Sequence, residues 1–128
     1  MERLRDKAYH VFAGYDSREH IPFKVCAHSL ARRSTYPVEV TPIYHKTLRH
    51  AGMFYRPWKI DEDGQYWDEV DGKPFSTEFS HSRFLVPEIA RRNNLSGWVL
   101  FCDCDYLFLS DVCEVFDYCD NDYAVMCV

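Results

Sequence analysis

An α/β fold built on a mainly parallel sheet is what this sequence predicts, and two observations carry the prediction. Short apolar, β-prone runs alternate with segments of helical period along the chain, a pattern that favours crossover connections. Hydrophobic residues make up 47% of the 128 positions and aromatic ones 16%, enough to build one real core and too many for a disordered chain. One domain spanning residues 1–128 is expected, with an irregular insertion at about 48–75.

Tyr9 to Tyr15 reads as the first buried strand, ended by Gly14 and the polar cluster Asp16, Ser17, Arg18 and Glu19. From Ile21 to Arg33 apolar residues recur at Ile21, Val25, Ala27 or His28, and Leu30 or Ala31, so a helix follows, with Pro22 accepted in its first turn. Pro37 marks its end. Val38 to Tyr44 alternates as a strand, and Pro42 makes it an edge strand or bulged. His50 to Phe75 carries no sustained helical period. It reads as a long excursion, a binding loop or an ornament with a small hairpin turning at Asp63-Gly64 or Asp71-Gly72. Ser76 to Arg92 is expected to be helical, capped by Ser76 or Thr77 and bent or restarted at Pro87. Trp98 to Phe101 launches a hydrophobic strand, Ser110-Asp111 caps a short helical turn over Val112 to Phe116, and Tyr123 to Val128 reads as a last strand.

A formal net charge of -5 argues against a chain that coats nucleic acid or anionic lipid. No apolar stretch reaches the ~20 residues of a membrane span, and Met1 to Lys7 lacks the hydrophobic core of a signal peptide, so a cytoplasmic protein is expected. The six cysteines, Cys26, Cys102, Cys104, Cys113, Cys119 and Cys127, form no CxxC pair and read as reduced thiols in core positions.

The chemistry concentrates in FCDCDYLFL, residues 101 to 109. In extended backbone Asp103 and Asp105 share a face, about 6.5–7 Å apart along the chain. Two neighbouring carboxylates repel each other, and a divalent cation resolves that conflict. Hard oxygen ligands suit Mn2+ or Mg2+, which complete their shell with water and phosphate oxygens. The alternative is that the two acids end a strand and cap the turn beyond it.

The runs STEFSHSRFLVPEIA and GWVLFCDCDYLFLSDVCEVF, with VFAGYDSREHIPFKVCAHSL at the start, resemble the nucleotide-sugar transferases of the GT-A fold, particularly the family 8-like group. The resemblance covers most of Tyr9 to Phe116 outside the excursion. It implies a Rossmann-like GT-A fold and a glycosyltransferase that moves a glycosyl group from a metal-bound nucleotide-sugar donor to an unknown acceptor, with retention of configuration. It further implies that Asp103 and Asp105 ligate the metal and that Asp103 lies near the donor ribose. Arg83 matches the helix arginine facing the donor, with a surface salt bridge as its alternative. Tyr15 offers a stacking face and Asp16 an acceptor for base or ribose, although Asp16 fits a helix cap nearly as well, and Arg18 matches a contact to the diphosphate.

In related transferases a further metal ligand, often a His, lies in the second half of the fold. All six histidines here precede Asp103. A truncated GT-A half is therefore expected, pairing with a copy of itself or with a complementing chain. A non-catalytic nucleotide-sugar-binding or interaction module is the alternative function. A DxDxT-type phosphatase is a weaker one, because Leu107 stands where that motif wants Thr.

Overall fold

The computed structural model describes residues 8–127. The readings at Met1 to Lys7 and at Val128 lie outside them. Three parallel strands form the main sheet: β1 (Tyr9–Gly14), β2 (Val38–Ile43) and β6 (Leu100–Cys102), in the order β2-β1-β6. β1 pairs with β2 from Tyr9↔Val38 to Gly14↔Ile43, and with β6 from Val11↔Leu100 to Ala13↔Cys102. Pro42, which has no N–H to give, sits in a strand with one neighbour among the described residues, an edge position that suits its chemistry.

Strand alternation splits β1 between two cores. Val11 and Ala13 face α1 (His20–Arg33) and α4 (Cys113–Phe116), packing with Cys26, Leu30, Cys102 and Val112. Phe12 faces the other way, toward Ile43, Leu48, Phe79, Val86 and Ile89. Leu48 belongs to α2 (His45–His50), and Val86 and Ile89 to α3 (Val86–Arg92). A β-carbon at Gly14 would lie 2.5 Å from ring carbons of Phe79, so only glycine lets that ring close on the end of β1. Gly14→Ala is expected to cost about 1–3 kcal/mol in urea unfolding. The same change should cost less in a Phe79→Leu background, and the difference between the two is the measure of the clash.

Several expectations need correction. The helix after β1 is present, but its inward stripe is Phe23, Cys26, Ser29 and Leu30, while Ile21 and Val25 are exposed. Residues 76–92 do not form one helix. Turns lead into a 3-10 segment, Ser82–Leu85, and α3 starts afresh with Pro87 in its first turn. The Ser80 hydroxyl, not Ser76 or Thr77, serves the local backbone, accepting from the Thr77 N–H at 3.1 Å. Tyr123 to Cys127 form no strand, and Tyr123, Val125 and Met126 are exposed. β-propensity expresses itself only against a neighbouring strand, and none pairs with this segment among the described residues.

The main sheet is parallel throughout, as expected. The excursion folds as a second, antiparallel sheet of β3 (Trp58–Ile60), β4 (Tyr66–Asp68) and β5 (Pro74–Phe75). Both expected turns are used, with Gly64 at φ 80° and Gly72 at φ 69°. Trp58 anchors this sheet to α2, its ring centroid 4.4 Å from that of His45, and lies 5.4 Å from that of Phe75 within the sheet. Arg56 grips the buried Asp68 carboxylate through two bonds of 2.7 and 2.8 Å. No helix among the described residues is long and apolar enough to cross a membrane.

Candidate functional site

In the order β2-β1-β6 the chain runs outward from β1 to β2 and then returns to the opposite side of β1. The reversal lies between the carboxyl ends of β1 and β6, where open α/β sheets characteristically bind ligands. Two loops meet there, residues 15–19 after β1 and residues 103–105 after β6. The Cys104 thiol donates to Glu19 Oε2 at 3.2 Å and ties them together.

The strand ends at Cys102, and Cys104 and Asp105 form a turn, so the alternation expected to align Asp103 with Asp105 stops before it reaches them. Asp103 is half-buried and Asp105 exposed, while Cys104 between them points into the core. Burial first, then the bond to Glu19, pushes the Cys104 thiol up to about 12. It is a protonated donor at neutral pH, not a soft thiolate ligand. Its bond to Cys26 and its burial likewise hold the Cys102 thiol protonated. The expectation of buried thiols holds for Cys26, Cys102, Cys104 and Cys113, whereas Cys119 is half-buried and Cys127 exposed.

Asp16 is fully enclosed and is the N-cap of the 3-10 turn Ser17–Glu19. Its Oδ1 accepts from the Arg18 backbone N–H at 2.8 Å and from Arg18 Nε at 3.1 Å. Its Oδ2 accepts from Arg18 Nη2 at 3.0 Å and from the Glu78 N–H at 3.1 Å. With both oxygens engaged in this way, the cap alternative describes Asp16 and contact with base or ribose does not. Burial alone would raise its pKa, but the hydrogen bonds from Arg18 and the Glu78 N–H, with the Arg18 charge, together outweigh it and hold the carboxyl below the ordinary range. Arg18 also donates to the Ser76 carbonyl at 2.8 Å and lies 4.1 Å over the Tyr66 ring, with its side chain still half exposed. It is a guanidinium fixed at the mouth of the site.

Tyr15 is half-buried at the root of the same loop, edge-on to Phe23 and Tyr44, with its hydroxyl 3.0 Å from His20 Nδ1. Arg83 is not drawn in. It is exposed on the 3-10 segment, 5.3 Å from the Phe84 ring, and makes neither a salt bridge nor a side-chain hydrogen bond among the described residues.

Beneath the loop lies a polar network that the sequence did not announce. Glu78, buried, accepts from Ser17 Oγ at 2.6 Å, the Ser17 N–H at 3.0 Å and the Tyr66 hydroxyl at 2.9 Å. His45 Nε2 stands 3.7 Å from its Oε2. Burial and the bond to Glu78 push the Tyr66 phenol well above its usual value, so it remains a donor. Burial lowers His45, and Arg49 Nε donates to its Nδ1 at 3.2 Å, which selects the neutral tautomer with its proton on Nε2, facing Glu78.

No group of three or more His, Cys, Asp or Glu arranged to hold a metal ion occurs among the described residues. The two loop acids would therefore supply two protein ligands at most. That number suits a cation that keeps several waters and takes its remaining ligands from phosphate.

No protein-family model and no solved structure matches the chain. It is 43% identical over 122 residues to Protein CDI of Arabidopsis thaliana, an alignment that takes in 95% of this chain and 41% of that protein. The chain thus spans about two fifths of the length of the curated relative it matches.

Proposed function

We propose that the chain binds the diphosphate of a nucleotide sugar through a divalent cation on Asp103 and Asp105 and serves glycosyl transfer. The observation that carries this reading is the placement of both acids at the carboxyl end of β6, across the strand-order reversal from the loop after β1. When bound, the cation would stabilise the negative charge that builds on a nucleoside diphosphate leaving group. The chain's own residues bind and orient. Arg18, held by Asp16 and the Ser76 carbonyl, presents a planar donor at the same end of the sheet, suited to phosphate oxygens. Glu78 fixes the Ser17 backbone and hydroxyl beneath the loop, and Cys104 closes the β6 loop onto Glu19.

Thermal unfolding with Mn2+ and a panel of nucleoside diphosphate sugars tests the reading. At ligand 100-fold above Kd a matching donor should add about 2.7 kcal/mol of stability. Asp103→Ala should abolish that gain and leave the melting temperature without ligand nearly unchanged, because Asp103 is not part of the hydrogen-bonded core. No shift with any donor defeats the proposal. A second reading is donor binding without turnover. Release of nucleoside diphosphate by the isolated chain would eliminate it.

A further inference from the structure

We infer that the outer face of the β3-β4-β5 sheet is a binding site for a neutral saccharide, built on the Trp67 indole and independent of Asp103 and Asp105. Alternation along β4 turns Tyr66 and Asp68 into the molecule and Trp67 outward, beside its cross-strand partner Lys59. A depression of about 530 Å3 opens there, lined by Lys59, Asp61, Trp67, Asp68, Glu69 and Gly72. That volume falls in the range of roughly 300–1,000 Å3 typical of small-molecule sites.

Trp67 is held ready and remains partly exposed. Its Nε1 donates to Asp61 Oδ2 at 2.8 Å, which fixes the plane of the ring. Trp58 by contrast packs against His45, Phe54, Tyr66 and Phe75, whereas Trp67 makes no ring contact among the described residues. An oriented aromatic face without an aromatic partner is an apolar platform awaiting one.

The charges around it select the ligand. Asp68 is neutralised by Arg56 and also accepts from the Asp71 N–H at 2.8 Å. Asp61 is occupied by the indole and by the backbone N–H groups of Asp63 and Gln65. Lys59 and Glu69 remain, one ammonium donor and one carboxylate acceptor of opposite sign, and with the Asp61 carboxylate, whose neutral partners leave it ionised, the rim is net negative and disfavours phosphate and other anions. A donor and an acceptor flanking an indole face match a pyranose ring, whose C–H face lies on the aromatic plane while its hydroxyls give and accept hydrogen bonds.

The Trp67 indole N–H resonance of the 15N-labelled 128-residue chain reads the site directly. Cellotriose, maltotriose and mannotriose are titrated as neutral probes, with adenosine, inorganic phosphate and spermine as controls. The expected result is a saturable shift of the Trp67 signal with at least one trisaccharide and none with the controls. Trp67→Ala should weaken that binding about tenfold, read from backbone amides of the sheet, while Trp67→Phe keeps most of it. Melting temperatures of both variants show whether the sheet is intact. Asp103→Ala should leave the saccharide titration unchanged, which separates failure here from failure at the donor site. Silence with all three trisaccharides, a response to adenosine or an ion instead, or undiminished binding by a folded Trp67→Ala chain would each overturn the inference.

Discussion

Replacing Glu78 with alanine is expected to cost about 3–5 kcal/mol in urea unfolding, a large share of the 5–15 kcal/mol that typically holds a domain together. The cause is what the missing carboxyl group leaves behind. Three donors converge on it, the Ser17 N–H, the Ser17 hydroxyl and the Tyr66 hydroxyl, and Tyr66 is 3% exposed. A buried polar group without a partner costs about 1–3 kcal/mol, and at least one of these donors cannot turn to water. Glu78→Gln provides the control. If its amide nitrogen takes the place of Oε1, the two hydroxyls can rotate to accept from it, while the remaining oxygen keeps the Ser17 N–H. Most of the lost stability should therefore return. The glutamine variant should also regain the thermal shift with Mn2+ and nucleotide sugar, because Ser17 and Arg18 would be back in place. An alanine variant as stable as the parent would show that the network adds nothing.

That network explains which parts of the molecule could be read in advance. β1, α1, β2 and β6 follow from local patterns, alternation in the strands and helical spacing in α1. The Asp-Gly turns of the excursion follow from the positive φ that their glycines supply. Glu78 meets Ser17 across 61 positions of sequence, and nothing beside either residue marks the other as its partner. Asp16 was legible as a loop residue with two alternatives, and only the Arg18 and Glu78 contacts separate them. The inward face of α1 departs from the expected stripe because Cys26 and Ser29, less apolar in type than Ile21 and Val25, are the residues that are buried. Ser29 is nonetheless accommodated, its hydroxyl donating to the Cys26 carbonyl at 2.8 Å and accepting from the Phe108 N–H at 3.0 Å. Asp103 and Asp105 were legible as a pair beyond a strand, but the turn at Cys104 was not, since Cys104 enters the core through a contact with distant Glu19.

The same buried groups should make the fold acid-labile in two separable steps. His45 is depressed in the folded protein, chiefly by burial and also by the Arg49 and Lys46 charges, against the opposing pull of Glu78 and Asp16. The folded state therefore favours the neutral ring. Stability is undiminished above the unfolded value of about 6.5, falls as pH drops through it, and stops falling on this account below the folded pKa. Asp16 and Asp68 are depressed as well. Asp16 is lowered by Arg18 against its burial, and Asp68 by the Arg56 fork against its own. Their contributions are complete above the ordinary carboxylate range near 4 and are lost as pH falls through it toward the folded values. Urea unfolding between pH 8 and pH 3 should accordingly show a plateau, a first decline beginning near 6.5 and a steeper one below about 4, where two carboxylates protonate together. His45→Gln should flatten the first decline and leave the second, since the acid pairs do not depend on the ring. A profile level from pH 8 to pH 5 in the unmodified chain would mean that His45 titrates alike in the folded and unfolded states. The geometry opposes that outcome, because Nδ1 already accepts from Arg49 and a second proton on the ring would face that guanidinium.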